Sequence, residues 1–176
     1  MDWLKKGGPL MYPILICSIF ALAIFVERLI ALMNKDSIYS NFRAYLHSII
    51  EETRADLKGF REIFELAIDL EVRKLSKGLG TLSLIAKIST LLGLLGTVLG
   101  MVEVFKKVSE GKLGDPAALA GGIWVALLTT VFGLSVAIPA TLMHSILSSI
   151  VSKIEERLLK ISEEVLKGVA TKGGGS

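Results

Sequence analysis

The sequence predicts an all-α membrane protein with three transmembrane helices, and three observations support this fold class. Long apolar stretches occur three times, at about 9–26, 79–105 and 117–143. The mean hydropathy of +0.61 is high for a soluble chain of 176 residues. The segments between and after these stretches are polar but repeat apolar residues at helical spacing, which favours long helical extensions outside the membrane.

The first span is predicted from Pro9 to Val26, a run without a charged residue. It has the apolar character of a signal peptide, but no small-residue cleavage site follows it. The helical pattern also continues past Arg28 through LIALM. We therefore expect a retained span within the amino-terminal segment 1–33.

The second span is predicted at 79–105. Its uncharged centre, 88–102, is shorter than the roughly 20 residues that cross a bilayer. Lys87 and Glu103 are therefore expected near the two membrane interfaces, where a lysine side chain can extend to water.

The third span is predicted at 117–143 and has no charged residue. It follows a short loop at 106–116. Pro139 near its end is expected to kink the helix, because proline removes one backbone hydrogen bond.

The two polar segments are predicted to be helical. Segment 34–78 is expected to form one long helix or a helical hairpin with Leu46, Ile49, Ile50, Leu57, Phe60, Phe64 and Ile68 as its apolar residues. Segment 144–170 is expected to continue from the third span as an amphipathic helix with a seam of Leu147, Ile150, Ile154, Leu158, Ile161 and Val165. The last residues, 171–176, are expected to be a flexible tail left over from expression cloning.

Lys and Arg residues predict the orientation. Nine of them lie in 34–87 and five from 144 onward, against two at the amino terminus and three in 106–116. Because cytoplasmic loops are enriched in Lys and Arg, the amino terminus is expected outside and the carboxyl terminus inside (N-out, C-in). The basic residues on the cytoplasmic side are expected to contact anionic lipids.

Few residues could support enzyme or metal chemistry. Cys17, the single cysteine, lies in an apolar run and is expected to be a buried apolar side chain. His47 and His144 belong to no metal-ligand or catalytic spacing and are expected at a surface or an interface. The sequence has no nucleophile–base pair and no phosphate-binding loop, and its net charge of +3 does not indicate a nucleic-acid partner. We expect no enzyme activity, cofactor or metal.

Small residues and hydroxyls recur on one face of each of the last two spans. In the second span, LLGLLGTVLGMVEVF and the residue before it place on one face Thr90, Gly93, Thr97 and Gly100, with Gly96 at its edge. In the third span, AGGIWVALLTTVFGLSVAIPA places on one face Gly122, Ala126, Thr129, Gly133 and Ala140, with Thr130 beside it.

Two interpretations of these faces remain open. Helices in lipid associate through small residues that let their backbones approach, so the faces could be packing surfaces. Alternatively, they could line a narrow wet passage or contact a foreign helix. Glu103 has two explanations as well, because an acid in a span can handle ions but can also pair with Lys106 or Lys107 at the interface.

These two stretches resemble the second-span and third-span motifs of the TolQ/ExbB/MotA proton-channel family. The third-span motif in that family is similar to GIWVALLTTVFGLSVAIPA, and a Glu-Arg pair follows the first span here as well. The two motifs occur in the family's order and at its separation. Three spans resemble the ExbB/TolQ branch more closely than the MotA branch, which has four.

The resemblance implies a homo-oligomeric ring, a pentamer in the family, in the bacterial cytoplasmic (inner) membrane. The ring would surround single-span helices of an ExbD/TolR-type partner, whose aspartate carries protons into the cytoplasm. A TonB-like or TolA-like protein would transmit the energy to periplasmic uptake or envelope maintenance. By motif position, Thr97 and Thr130 would face the pore, and Pro139 would be the family's third-span proline.

The same resemblance implies that the small residues leave room for the partner helix. The pore-lining positions would be Thr90, Gly93, Gly96, Gly100, Gly122, Ala126, Thr129 and Gly133.

One position departs from the family pattern. Well-known ExbB and TolQ proteins have a glutamate in the third span where this chain has Val125. Either the partner's aspartate and the threonines suffice, or Glu103 substitutes from the second span, or the ion chemistry differs. The alternative functions are a non-conducting structural membrane scaffold and a stator of another ion-driven machine.

Overall fold

A computed structural model of the protein describes residues 8–52, 57–110 and 116–173, and these residues form five α-helices and no strand. The helices are α1 (Met11–Met33), α2 (Lys35–Glu52), α3 (Leu57–Leu75), α4 (Leu79–Ser109) and α5 (Pro116–Gly173). By length and composition, α1, α4 and α5 can cross a membrane. The prediction of an all-helical protein with three apolar spans is therefore confirmed at the level of its helices.

Helix α4 begins at Leu79, where the second span was predicted to begin, but its carboxyl end extends beyond the predicted end at 105. α4 continues to Ser109, so the first residues of the expected 106–116 loop are helical. Lys106 and Lys107 suit this position because cations stabilise the negative end of a helix dipole. Residues 111–115 of the expected loop lie outside the described residues.

Helix α5 is longer than either segment predicted for it. It continues through Pro139 and ends at Gly173, so the third span and the amphipathic segment belong to one helix. Residues 171–173, expected in the flexible tail, are helical, and 174–176 lie outside the described residues.

The described residues divide into two compact units. The first takes in the described parts of Met1–Val26 and Gly80–Ser145, and the second those of Glu27–Leu79 and Ile146–Ser176. Helices α1 and α5 contribute residues to both units.

The second unit has an apolar core built by α2, α3 and the carboxyl-terminal part of α5. Its buried side chains include Phe42, Leu46, Phe60, Phe64, Ile68, Leu147, Val151, Ile154, Leu158 and Ile161. The segment 34–78 therefore forms two helices rather than one, and both contribute to this core. Arg43 on α2 also pairs with Glu164 on α5 at 3.1 Å.

A tight turn connects α3 to α4. The amide of Leu79 donates to the carbonyl oxygen of Ser76 at 3.1 Å, and Gly78 has a φ of 87°. A left-handed backbone of this kind favours glycine, which has no Cβ to clash.

The first unit contains α1 up to Val26, most of α4 and the amino-terminal part of α5. Large apolar side chains on all three helices are exposed, among them Phe20, Leu91 and Leu127. An extended exposed apolar surface of this kind is typical of proteins that contact a membrane or another subunit.

Candidate functional site

The site lies where α4 and α5 pack against each other inside the first unit. Small residues of α4 contact small residues of α5. As the residue number rises along α4, the number of the contacted residue on α5 falls, so the two helices are antiparallel. The contacting pairs are Gly93 with Gly133, Gly96 with Thr129 and Gly100 with Ala126. We call this contact the glycine seam.

The backbones of the two helices touch along the glycine seam. A Cβ atom built at Gly133 would lie 2.6 Å from the carbonyl oxygen of Ser89 and 2.8 Å from the Cα of Gly93. A Cβ atom at Gly100 would lie 2.6 Å from the Cβ of Ala126. Because real Cβ atoms do not approach other atoms so closely, the helices can reach this separation only with glycine at these positions.

Most of the small residues singled out from the sequence are buried in this seam. The buried positions are Gly93, Gly96, Gly100, Gly122, Ala126, Thr129 and Gly133. These contacts match the packing interpretation, because the small-residue face of each helix is covered by the other helix of the same chain. Within one chain these seven positions have no free face, whereas the hydroxyls beside them can still contact a group from outside the chain.

One hydroxyl bridges the two helices. Thr130 Oγ1 donates to the carbonyl oxygen of Gly93 at 2.9 Å, and Thr130 itself is half-buried. The missing side chain of Gly93 leaves its carbonyl open to this approach. Thr129, in contrast, donates within its own helix, to the carbonyl oxygen of Ala126 at 2.8 Å.

Thr90 and Thr97 lie together on one side of the glycine seam. On a helical wheel they are about 60° and 40° from Gly93, in the same direction. Thr90 is exposed and Thr97 is half-buried. Their hydroxyls donate to carbonyl oxygens of their own helix, Thr90 to Ala86 at 3.0 Å and Thr97 to Leu94 at 2.6 Å. Both hydroxyl oxygens keep lone pairs that can accept from a group outside the chain.

The same side of the helix pair carries hydroxyls from α5. A cleft of about 170 Å³ is lined by Ser83, Ala86, Lys87, Thr90, Thr141 and His144. Since this cleft joins Thr90 to Thr141, and since Thr130 lies only about 20° from Thr141 around α5, the four threonines share one side. We call Thr90, Thr97, Thr130 and Thr141 the hydroxyl flank.

The structure adds residues to the site that the sequence reasoning passed over. His144 was expected at a surface or interface without a role, and Thr141 was not considered. The signal was present in the spacing, since Thr130, Ala137, Thr141 and His144 follow one another at intervals of seven, four and three. On α4 the matching series ends in Lys87, which precedes Thr90 by three.

Glu103 is not part of the hydroxyl flank. It lies about 120° from Thr97 around α4. Its carboxylate pairs with Lys107 at 3.3 Å, and its side chain is 61% exposed. Pairing with a lysine at the helix end was the interfacial explanation that the sequence offered.

Val125, at the position where the resemblance implies a glutamate, also lies away from the flank. It is half-buried and about 140° from Thr130 around α5. Within the described part of the chain, no group of three or more His, Cys, Asp and Glu residues is placed to hold a metal ion.

The sequence matches one protein family over most of its length. Residues 33–160 match the MotA/TolQ/ExbB proton channel family. An ExbB-like biopolymer transport protein of Synechocystis sp. is 30% identical over 195 residues, covering 94% of this chain and 77% of that protein.

Other relatives match over shorter stretches. An ExbB homolog of Methanothermobacter thermautotrophicus is 38% identical, covering 64% of this chain and 38% of that protein. The Tol-Pal system protein TolQ of Haemophilus influenzae is 35% identical, covering 58% of this chain and 45% of that protein. The chain thus spans less than half the length of these two relatives.

A solved structure has a similar fold. The structure of C. jejuni MotAB matches with a TM-score of 0.59 and 20% sequence identity, covering 97% of this chain and 67% of that one. At this identity the similarity concerns the fold alone. The family match, together with the Synechocystis relative, establishes that this chain belongs to the MotA/TolQ/ExbB proton channel family, which is a family of channel proteins and not of enzymes.

Proposed function

We propose that this chain is an ExbB/TolQ-like stator subunit of an inner-membrane motor driven by the proton motive force. Copies of the chain form a ring, a pentamer as in the family, around single-span helices of an ExbD/TolR-type partner. Proton flow into the cytoplasm then drives periplasmic work through a TonB-like or TolA-like protein. The observation that carries this proposal is the hydroxyl flank beside a sealed glycine seam.

The hydroxyl flank suits an acid on a partner helix. The hydroxyl of Thr97 can accept from a protonated carboxyl group, and after rotation it can donate to the carboxylate. It therefore stabilises the acid in both protonation states, which a proton carrier requires. The glycine seam contributes differently, because it joins α4 and α5 into one wall with the flank at its edge.

The energy scale is consistent with this mechanism. One elementary charge that crosses 100 mV gains about 2.3 kcal/mol. A hydrogen bond contributes about 0.5–1.5 kcal/mol between neutral groups and about 1.5–3 kcal/mol when one of the groups is charged. One proton can therefore drive the exchange of about one hydrogen bond between the partner's acid and the wall.

Thr97→Val is the sharpest test of the flank. Thr97 makes no hydrogen bond between helices, so the substitution removes a hydroxyl and leaves the glycine seam intact. Thr130→Val is a less specific test, because it also removes the hydrogen bond that Thr130 donates to Gly93 across the seam. The matched control is Thr81→Val, at an exposed position of the same helix about 160° from Thr97.

The variants are reconstituted in liposomes together with the proposed ExbD/TolR-type single-span partner, and proton flux is measured under an imposed potential. We expect Thr97→Val to lower the flux about tenfold or more, because a hydrogen bond to a charged group contributes about 1.5–3 kcal/mol. Thr81→Val should conduct like the wild type. Equal flux in Thr97→Val and Thr81→Val would remove Thr97 from the pathway.

The rival function is a structural scaffold that does not conduct. Val125 favours it, because the third span then has no ionisable group between its ends. A ring that assembles, binds no acid-bearing single-span protein and carries no proton flux would support the scaffold over the stator.

A further inference from the structure

The cleft lined by Lys87, Thr90, Thr141 and His144 is a chemical feature that the proposed threonine pathway does not use. It has a volume of about 170 Å³ and is formed by residues of α4 and α5 within the first unit. His144 is half-buried in it. The cleft is therefore a pocket that holds a titratable side chain next to hydroxyls.

The cleft lies at one end of the hydroxyl flank. Thr141 and His144 follow Thr130 on α5 by 11 and 14 residues, and they stay within about 40° of it around the helix. On α4, Lys87 and Thr90 precede Thr97 on the same side. A species that moves along the flank past Thr97 and Thr130 would therefore arrive at this cleft.

Imidazole is the side chain suited to proton exchange at this position. It gains and loses a proton in the neutral pH range, whereas a threonine hydroxyl can pass a hydrogen bond but does not hold a net charge. Among the described residues of 80–145, His144 is the one histidine. The other acid–base candidate, Glu103, lies about 120° away from the flank and is paired with Lys107.

Lys87 is the charged group that lines the cleft together with His144, and it comes from the facing helix α4. No carboxylate is among the lining residues of this cleft. The ammonium group repels cations of any kind, so the cleft is a poor site for a sodium ion, and an imidazolium formed there is repelled as well, which favours passing its proton on to water.

We propose that His144 is the proton-release group at the cytoplasmic end of the pathway. The neutral imidazole takes the incoming proton from a hydronium ion in the flank and leaves water there, and the resulting imidazolium gives a proton to cytoplasmic water. One proton crosses and the imidazole returns to its neutral form. This role rests on the proposed stator function and on the N-out, C-in orientation.

The test is chemical rescue in liposomes that contain the chain and the proposed ExbD/TolR-type single-span partner. We expect His144→Ala to lower proton flux by about a hundredfold, the low end for a positioned acid–base group. Free imidazole added on the cytoplasmic side should restore much of the flux, because it can enter the space that the side chain vacates. The matched control is His47→Ala, an exposed histidine on α2, which should conduct normally and not respond to imidazole.

Each outcome decides the proposal. Unchanged flux in His144→Ala, or a loss that imidazole does not restore, overturns the role of His144. If Thr97→Val abolishes the flux while His144→Ala does not, the stator function stands and this inference alone fails. A wild-type complex that carries no flux at all removes both.

Discussion

At the residue scale, two glycines on α5 differ in whether they can accept a side chain. Gly133 lies against the backbone of α4, and a Cβ there would lie 2.6 Å from the carbonyl oxygen of Ser89. Gly121, on the same helix, has no atom within 4 Å of the corresponding position. The same change at these two glycines therefore has opposite consequences.

Gly133→Ala should destabilise the protein by about 1–3 kcal/mol, because backbone atoms of α4 must move to admit the methyl group. Gly121→Ala should leave stability unchanged or raise it slightly, because alanine favours a helix over glycine. Denaturant unfolding of both variants in detergent measures the difference. Equal stability would mean that the helices are not held at backbone contact.

Glu156 and Lys160 on α5 form an exposed ion pair at 2.7 Å. Hydrogen bonding to Lys160, helped by its charge, holds the pKa of Glu156 below its ordinary value. Because the folded-state pKa is lowered, the pair stabilises the fold above the unfolded-state pKa, and this contribution is lost as the pH falls through the folded-state pKa.

Lys160→Gln should raise the pKa of Glu156 towards the value of a free glutamate, as measured by NMR titration of its side chain. High salt should act in the same direction, since exposed pairs are screened. Lys153→Gln is the control and should leave the Glu156 titration where it is. A Glu156 titration that does not respond to Lys160→Gln would contradict the pairing.

At the scale of elements, the apolar seam of α5 shows what periodicity can predict. Leu147, Ile154 and Leu158 are fully buried, as their spacing indicates. Ile150 and Val165, placed on the same seam, are only half-buried. Periodicity locates the centre of a buried stripe, but the partner helices decide how wide it is.

Leu158→Ala should destabilise the second unit by about 2–5 kcal/mol, because it leaves a cavity in a closed core. Its neighbour Leu159 is 45% exposed, so Leu159→Ala should have little effect. Hydrogen exchange of α2 and α3 amides in both variants measures the loss. Equal protection in the two variants would show that the seam does not anchor these helices.

The helix pair α4–α5 shows where sequence reasoning ends. The sequence predicts both helices and the identity of their small residues and hydroxyls. It leaves open which of them face the other helix, because Thr97 lies only about 40° from Gly93 around α4. A rotation of α4 by that angle would exchange the seam and the flank, and the contacts of Gly93, Gly96 and Gly100 with α5 decide between the two.

The sequence does not predict the cleft that Lys87 and His144 line, for a related reason. Lys87 and His144 are 57 residues apart in the sequence, and their proximity depends on the antiparallel register of α4 and α5. Neither residue alone suggests a site. Their shared cleft becomes visible only when the glycine pairs align the two helices.

At the scale of the whole molecule, the distribution of Lys and Arg predicts the orientation in the membrane. The basic residues of 34–87 and of the segment from 144 onward are expected on the cytoplasmic side. Ser109 at the end of α4 and Ser152 on α5 are both exposed and would then lie on opposite sides.

In a Cys17→Ser background, Ser109→Cys should react with an impermeant maleimide added outside intact cells. Ser152→Cys should react only after the membrane is permeabilised. Labelling is measured by the mass shift of the purified protein. The reverse pattern would contradict the N-out, C-in orientation and with it the cytoplasmic assignment of His144.

On α4 and α5, contact between the helices and exposed hydroxyls depend on largely separate positions, and this has an evolutionary consequence. Apart from Thr130, which does both, the residues that hold the two helices together are different from those that offer hydroxyls beside them. Natural variants can thus replace a threonine of the hydroxyl flank, such as Thr97, while the glycine seam is unchanged. Within a family of ion channels, such exchanges offer a route to a different conducted ion that leaves the contact between the two helices intact.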